Sequence, residues 1–561
     1  MSSSWVPKRS LAEVDAMICA PGTTHELEMR VIDGRVQRVY KNLWPSLRHF
    51  WLWASREYAV RTYLVFEEQR YTYREVFEQS HRAAVVFREL YGVQKGDRVV
   101  ICSKNCAGFV IAFWACHLLG AVSVFVNPWL PAEQIVRCFI QVQCKLGVVD
   151  PASASALERH TETIIRQAGT AGFLVFDDHQ NLGRWDGIKP WGEAMSAYSE
   201  KEELDDPMMV PEDNASIIFT SGTTGSPKGV LSTQRMFLTN ILNPAVLITV
   251  PLFHATGTTG MMMVGTAGGA KIVLIRRWDA EEGARLLREE KIRMTGGVPS
   301  IASDLAASSA VGYPLERLFF GGAAPPDWLT REFQEKFPHT VLSQGYGATE
   351  TNAAVVGNAG EDFITRPTSA FVQIFRSLDD QGAAVPIGEL GEIWVRGPNV
   401  MKGYWNDPVA TANALTLDGW LKTGDVGCID QEGFVYIRDR IKDLIIRGGE
   451  NIDSVSVENA VAADSRLLEA AAVGVPDRRL GELPAVVVSV KPNYCGKIKE
   501  FRAEAHVVRR LPRFAVPVMV LLKNEPLPRN AAGKIVKNVL RPLAKAEWEQ
   551  RCAADQQRAK L

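Results

Sequence analysis

From Gly96 onward, short β-branched runs alternate with helical stretches, and this alternation constrains the fold more than any other feature of the chain. "GDRVVICS" reads as a strand and "AGFVIAFWACHLLG" as a helix. "AVSVFVNP" is a strand again, "AEQIVRCFIQVQ" a helix and "KLGVVD" a strand. The pattern continues through "GFLVFD", "ASIIFTS", "KIVLI" and "RLFFGG". Upstream, "YTYREVFEQSHRAAVVFREL" supplies a short strand and an amphipathic helix. Strands that alternate with helices imply α/β layers with mostly parallel sheets.

A chain of 561 residues exceeds one hydrophobic core, so two or more units are expected. The texture changes between Gly382 and Tyr436, where short strands and glycine turns predict a β-rich subdomain, about 370–440. "RDRIKDLIIRGGENI" is charged and glycine-rich and reads as a linker. Beyond it come a helix near "SVENAVAAD", strands at "EAAAVGVP" and "AVVVSVKP", a helix near "EFRAEAHVVRRL" and the segment "VMVLLKNEPLP". The expected fold is a large N-terminal domain over 1–440 and a smaller α+β C-terminal domain over 441–561.

The charge balance excludes some classes. Lys and Arg number 63 against 64 Asp and Glu, so no global field draws the chain to nucleic acid or an anionic membrane. Nine cysteines without zinc spacing read as reduced thiols in an intracellular compartment. The N-terminus lacks an apolar signal core. "GFVIAFWACHLLGAVSVFV" approaches the length of a membrane span, but His117, Ser123 and two glycines interrupt it. A buried helix followed by a buried strand is expected there, not a transmembrane segment.

Candidate chemistry begins at "IIFTSGTTGSPKGV", Ile217 to Val230. A buried strand breaks into a loop with hydroxyls at Thr220, Ser221, Thr223, Thr224 and Ser226, glycines at Gly222 and Gly225, and Lys228. A helix restarts after Thr233 as N-cap. Glycines let backbone N–H groups approach phosphate oxygens, and the lysine adds a mobile charge. The spacing is not that of a P-loop. "GYGATET" follows, with Gly345, Tyr346, Gly347, Thr349 and the carboxylate Glu350. A carboxylate beside bound phosphates points to Mg²⁺. "KTGDVG" sets Asp425 between glycines, where it can bond ribose hydroxyls. "PRNAAGKI" carries Lys534 on a turn of the last domain.

Taken in this order, these four stretches resemble the acyl- and aryl-CoA synthetases of the adenylate-forming superfamily, which also includes luciferases and peptide-synthetase adenylation domains. The resemblance runs from "YTYREV" to "AAGKIVK". It implies that Thr220 to Lys228 grip the β- and γ-phosphates of ATP, and that Gly321 to Ala324, with Gly322 and Ala323, pass over the adenine. It places Gln344 and Tyr346 beside the adenine, Thr349 at the α-phosphate, and Glu350 on Mg²⁺. Asp425 and Arg440 match the ribose pair, and Lys442 the hinge of a mobile C-terminal domain. Gly448, Gly449 and Glu450, within "GGENI", match the stretch that faces CoA after that domain rotates. Lys534 matches the lysine needed for adenylation. "LSTQRM" and "PRNAAGK" depart from the common forms of their motifs, but the glycine and lysine of the second remain.

The implied reaction activates a carboxylic acid as acyl-AMP with loss of pyrophosphate and then passes the acyl group to CoA. His254, Thr258, Met261 and Gly297 match the acyl-pocket region. Peptide-synthetase domains carry Asp where this chain has His254. A desolvated ammonium without a partner is costly, so an apolar acid is expected, medium- or long-chain in preference to aryl. Two alternatives are a ligase that loads a free-standing carrier protein and a luciferase-like oxygenase; a third is a non-catalytic nucleotide-binding protein. Ala559, Lys560 and Leu561 resemble a peroxisomal address, which implies an import receptor as partner and the peroxisome as location. Without that address the location would be cytoplasmic.

Overall fold

The computed structural model describes residues 11–176, 183–198, 202–220, 227–240, 247–323, 325, 327–361, 363, 369–372, 375–378, 383–448, 450–464, 466–495, 511–530 and 533–558. The expectations for Ser221 to Ser226, Ala324, Gly449, the helix near "EFRAEAHVVRRL" and the terminal Ala559 to Leu561 lie outside these residues.

The alternating segments form the expected α/β layers. Strands Arg98–Cys102, Val122–Phe125, Leu146–Val149, Gly172–Val175, Ile188–Pro190 and Asn214–Thr220 pair in parallel within one sheet of eight strands. Lys228–Thr233 runs back antiparallel against Asn214–Thr220, and Gly403–Tyr404 adds the edge beside it. Thr233 caps the helix Gln234–Leu238, its side chain accepting from the Met236 N–H.

A second sheet has thirteen strands. Its parallel part runs through Thr62–Phe66, Ile272–Leu274, Leu247–Ile248, Met294–Gly297, Arg317–Gly321 and Val341–Ala348. Antiparallel strands follow: Ala353–Ala359, Ser369–Val372, Val435–Arg440, Leu421–Ile429, Gly391–Val395 and Phe375–Leu378. The segment expected as a β-rich subdomain is strand-rich, and its strands continue this same sheet.

Helix Ala107–Leu118 belongs to the core that joins the two sheets, together with Ile101 of one and Leu64 and Ile272 of the other. Every residue in it is buried apart from the partly exposed Gly108, which explains why it is apolar all round. Trp114 stacks on Trp51 at 4.4 Å between ring centroids. Among the described residues no helix is long and apolar enough to cross a membrane.

The C-terminal part is a five-stranded sheet built on the antiparallel ladder of Leu467–Asp477 with Gly481–Val490. Helices Ser454–Ala462 and Lys537–Arg558 pack against it. The segment read as a linker is mostly regular: it holds the end of Val435–Arg440, a 3-10 turn Ile441–Asp443, and the paired strands Ile445–Arg447 and Glu450–Ile452. Its charges are used locally. Asp439 accepts from the Ser454 N–H, and Arg541 donates to the Lys442 carbonyl at 2.7 Å and to Asp443 at 2.9 Å.

Lys537 anchors this region. Its ammonium lies 2.7 Å from Glu458 and donates to the Ser454 hydroxyl, while Glu458 accepts from the Ala472 N–H at 2.9 Å. Burial works against the lysine's charge, but the carboxylates of Glu458 and Asp439 outweigh it and hold its pKa above the ordinary value.

Candidate active site

The flank of the Gly/Ser/Thr loop sits where two sheets meet. Thr220 ends its strand, and its hydroxyl donates to the Lys228 carbonyl at 3.4 Å. Lys228 begins the returning strand, and its ammonium lies over the Tyr404 ring at 5.1 Å from the centroid. The Tyr404 hydroxyl donates to Glu350 at 2.8 Å. Burial, and then the Glu350 charge, push the Tyr404 pKa up, so the phenol stays a donor. One tyrosine therefore links the lysine beside the loop to the expected metal carboxylate. The short edge strand carries it there: Tyr404 pairs with Val230, and the Trp405 N–H donates to the Gly229 carbonyl at 2.7 Å.

Glu350 lies in the 3-10 turn Thr349–Thr351, which reverses the sheet from Val341–Ala348 into Ala353–Ala359. The turn ends with Asn352 at φ +55° and Ala353 at φ +103°. Such a backbone persists only where its surroundings hold it. Three amides do so: Asn240 donates to the carbonyls of Thr351 and Asn352, Asn399 donates to Thr351, and Asn352 donates to the Asn399 carbonyl. The Met401 N–H donates to the Glu350 carbonyl at 2.7 Å. Gly347 must be glycine, because a Cβ there would fall 1.8 Å from the Ala353 carbonyl oxygen.

The two residues expected to bind ribose lie side by side. Asp425 and Arg440 face each other in the antiparallel ladder, with Arg440 Nε 2.9 Å from Asp425 Oδ1. The Tyr346 hydroxyl donates to Asp425 Oδ2 at 2.5 Å. Tyr346, expected beside the adenine, therefore also orients the Asp425 carboxylate. Asp425 raises the Arg440 pKa. Gln344 is buried, and among the described residues its Oε1 has no partner. Lys442 is exposed, one residue into the 3-10 turn. Gly448, at φ +59°, donates its N–H to the Leu480 carbonyl at 2.7 Å, and Glu450 is exposed beside it.

Lys534 enters on a turn of the C-terminal part, between the strand Met519–Lys523 and the helix Lys537–Arg558. Asn530 shapes its turn: the Lys534 N–H donates to the Asn530 side chain at 2.9 Å, and the Asn530 N–H to the Lys534 carbonyl at 2.8 Å. The ammonium shares a small cavity with His254, Thr256, Val298 and Gly322. Gly322 has φ +80°, and a Cβ there would meet Lys534 Cε at 3.2 Å. Burial lowers the Lys534 pKa and Arg440 adds to this, whereas Asp425 and Glu350 oppose it. The His254 pKa is pushed down to about 4 by burial and then by the Lys534 charge. His254 is thus a neutral imidazole near pH 7, and its Nδ1 accepts from the Thr256 N–H at 3.3 Å. That leaves the proton on Nε2.

The other expected pocket residues lie behind the cavity wall. Thr258 is buried and its hydroxyl donates to the Leu252 carbonyl. Met261 is part of the core between the sheets. Both belong to a π-helical turn, Thr256–Met263, a geometry that recurs at functional sites. Gly297 is buried beside Thr249 and Ile301.

Sequence reasoning had not singled out Tyr404, Asn352, Asn399 or Val298. Asn at a left-handed position is a readable signal for Asn352. The other three gain their places only through contacts between segments far apart in the chain.

The chain matches the family model described as AMP-binding enzyme over residues 51–405, and that described as AMP-binding enzyme C-terminal domain over 456–534. It is 32% identical over 503 residues to 4-coumarate–CoA ligase 3 of Oryza sativa subsp. japonica, covering 84% of this chain and 87% of that protein. It is 31% identical over 493 residues to long-chain-fatty-acid–CoA ligase FadD13 of Mycobacterium tuberculosis, covering 84% and 93%. The solved o-succinylbenzoate CoA synthetase of Bacillus subtilis with ATP and magnesium superposes with a TM-score of 0.71 at 27% identity, covering 88% of this chain and 99% of that one. Its complex with the acyl-adenylate OSB-AMP gives a TM-score of 0.73 at 27% identity, covering 89% and 98%.

Proposed function

Because the chain belongs to the AMP-binding enzyme family, the adenylate-forming superfamily of acid–thiol ligases, we propose that it joins an apolar carboxylic acid to CoA through an acyl-adenylate. The acid's carboxylate attacks the α-phosphorus of ATP and pyrophosphate leaves. The CoA thiol then attacks the activated carbonyl and AMP leaves. The observation that carries this reading is the meeting of Lys534, His254 and Gly322 in one cavity, within the electrostatic reach of Arg440, Asp425 and Glu350.

The residues fit the nucleotide and its metal. The buried Gln344 Oε1 without a partner among the described residues can accept an adenine amino group. Gly322 leaves open the space that a side chain would fill beside Lys534. Asp425, held by Tyr346 and Arg440, offers its carboxylate to the ribose. Glu350 would hold Mg²⁺, which binds through one or two carboxylates plus substrate phosphates. Bound there, the ion would offset charge on the phosphate oxygens.

This chain's own part is positioning and charge. The Lys534 ammonium neutralises the approach of one anion to another. His254, neutral, donates from Nε2 toward the acid's oxygen without adding a competing charge. Lys228 steadies the leaving phosphates. For the thiol step, the C-terminal domain turns about Lys442 and presents Gly448, Gly449 and Glu450 to CoA.

The acid is read as apolar because His254 stands where an amino-acid-activating site has a carboxylate, and because Val250, Pro251 and Val298 give the cavity apolar wall without a carboxylate. Within that class, a medium- or long-chain acid is favoured over an aryl acid. The terminal Ala559, Lys560 and Leu561 are proposed as the address for a peroxisomal receptor.

The test is acid-dependent pyrophosphate release with and without CoA, over fatty acids, benzoates, cinnamates and amino acids. Release on apolar acids with CoA-dependent thioester is expected. Release on amino acids alone, or no thioester with CoA, would overturn the reading and favour carrier loading.

The Tyr404 bridge makes a separate prediction. Tyr404→Phe keeps the ring under Lys228 and removes the bond to Glu350. It should raise the Mg²⁺ concentration needed for half-maximal pyrophosphate release and weaken calorimetric binding of Mg·ATP by roughly tenfold, the worth of one hydrogen bond to a charged group. The KM for the acid should not move.

A further inference from the structure

The register of three neighbouring strands puts an aromatic ring against bare backbone. Gly296 pairs with Phe319, Phe320 with Gln344, and Gly321 with Gly345. Successive side chains of a strand point to opposite faces. Phe320 is buried on the helix-covered face, 5.8 Å from Phe363 between ring centroids. Phe319 therefore projects from the other face, where its neighbours Gly296, Gly321 and Gly345 have no side chains.

The ring fills the room they leave. A Cβ at Gly345 would lie 2.7 Å from Phe319 Cζ and 2.8 Å from Cε2; one at Gly321 would lie 2.8 Å from Cε1. The ring thus leans along the sheet toward Gly321, which lines the cavity that holds His254 and Lys534. It belongs to a strand in the interior of the large sheet, yet it is only half-buried. Phe320 beside it is 1% exposed. Phe319 is thus not closed off by core packing, and its ring lies beside Gly321 of the cavity wall.

We infer that Phe319 is the specificity-determining wall of the acyl cavity, setting an upper limit on acyl length at medium-chain or single-ring acids. This rests on the ligase reading above and narrows its substrate. A phenyl ring occupies the length of roughly three to four methylenes, and each buried methylene is worth about fourfold in binding. Truncating Phe319 opens that length along the glycine backbone of Gly321 and Gly345.

The experiment uses the full-length protein and its Phe319→Ala and Phe319→Leu variants. Pyrophosphate release and thioester formation are measured on a ladder from hexanoate to palmitate, with benzoate and cinnamate alongside. The wild type should lose kcat/KM beyond medium chains. Phe319→Ala should shift the optimum upward by roughly three methylenes and improve long-chain kcat/KM at least about tenfold through KM, with the KM for ATP unchanged. Phe319→Leu should fall between, and it serves should the alanine variant unfold. Equal profiles in wild type and a folded variant would overturn the proposal, as would a wild type that already prefers long chains. Absence of acid-dependent pyrophosphate from every protein would instead sink the ligase reading and the wall with it.

Discussion

Alanine in place of Lys534 is expected to slow acyl-adenylate formation by roughly 10²–10³-fold while leaving thioester formation from supplied acyl-adenylate near the wild-type rate. The ammonium is the cation that reaches the cavity with His254 and Gly322, and electrostatic donors aimed at developing charge are worth about this much. No covalent intermediate on the enzyme is needed, so the loss should appear in the first half-reaction alone. Single-turnover pyrophosphate release measures that half; synthetic acyl-adenylate with CoA measures the other. Equal losses in both would show that Lys534 acts on the fold instead. The pH dependence follows from its environment. Burial and Arg440 lower its pKa, so the charge is present at low pH and is lost as pH rises through a value below the ordinary lysine range. Adenylation should decline on that alkaline limb earlier than a free lysine would dictate.

Glu458→Ala is expected to destabilise the C-terminal part by about 2–4 kcal/mol, read as a lower denaturant midpoint. Removing one member of a buried ion pair leaves the other charge without compensation, at roughly 3–5 kcal/mol. The side chains of Glu458 and Lys537 are 21% and 15% exposed, which discounts that figure somewhat. The double variant Glu458→Leu/Lys537→Met should recover much of the loss, since both charges go together. A single variant as stable as the wild type would mean that Ser454 and Asp439 already satisfy Lys537. Lys537 also stands three residues after Lys534, so loosening the pair should slow adenylation more than thioester formation.

Much of this was readable in advance because it rests on local pattern. β-branched runs such as "GVV" and "IVL" fold as strands wherever helices can cover both faces. Thr220, Lys228, Glu350, Asp425 and Lys534 lie in short motifs whose glycines and hydroxyls mark them in the chain, whereas Arg440 was placed by the family resemblance. Tyr404 was not legible. Its role depends on a two-residue strand pairing with Val230, across more than a hundred positions of sequence. Phe319 was hidden for a similar reason: "RLFFGG" shows two phenylalanines, and only strand register decides which faces the helices. The segment "RDRIKDLIIRGGENI" is more regular than its composition suggests because Ile445 and Ile452 are buried. They pair as strands while the charges are satisfied nearby.

The continuity of the thirteen-stranded sheet bears on how this molecule can be divided. A cut where the composition changes, near residue 370, would strip the partner from Ala353–Ala359, since Val356 and Gly357 pair there with Val372 and Phe371. Their N–H and C=O groups would become an open edge in the middle of a long sheet, a template for pairing with other chains. A truncated product should therefore accumulate as aggregate. Shortened versions meant to remain monomeric should retain the chain through Arg440, where the last of these strands ends.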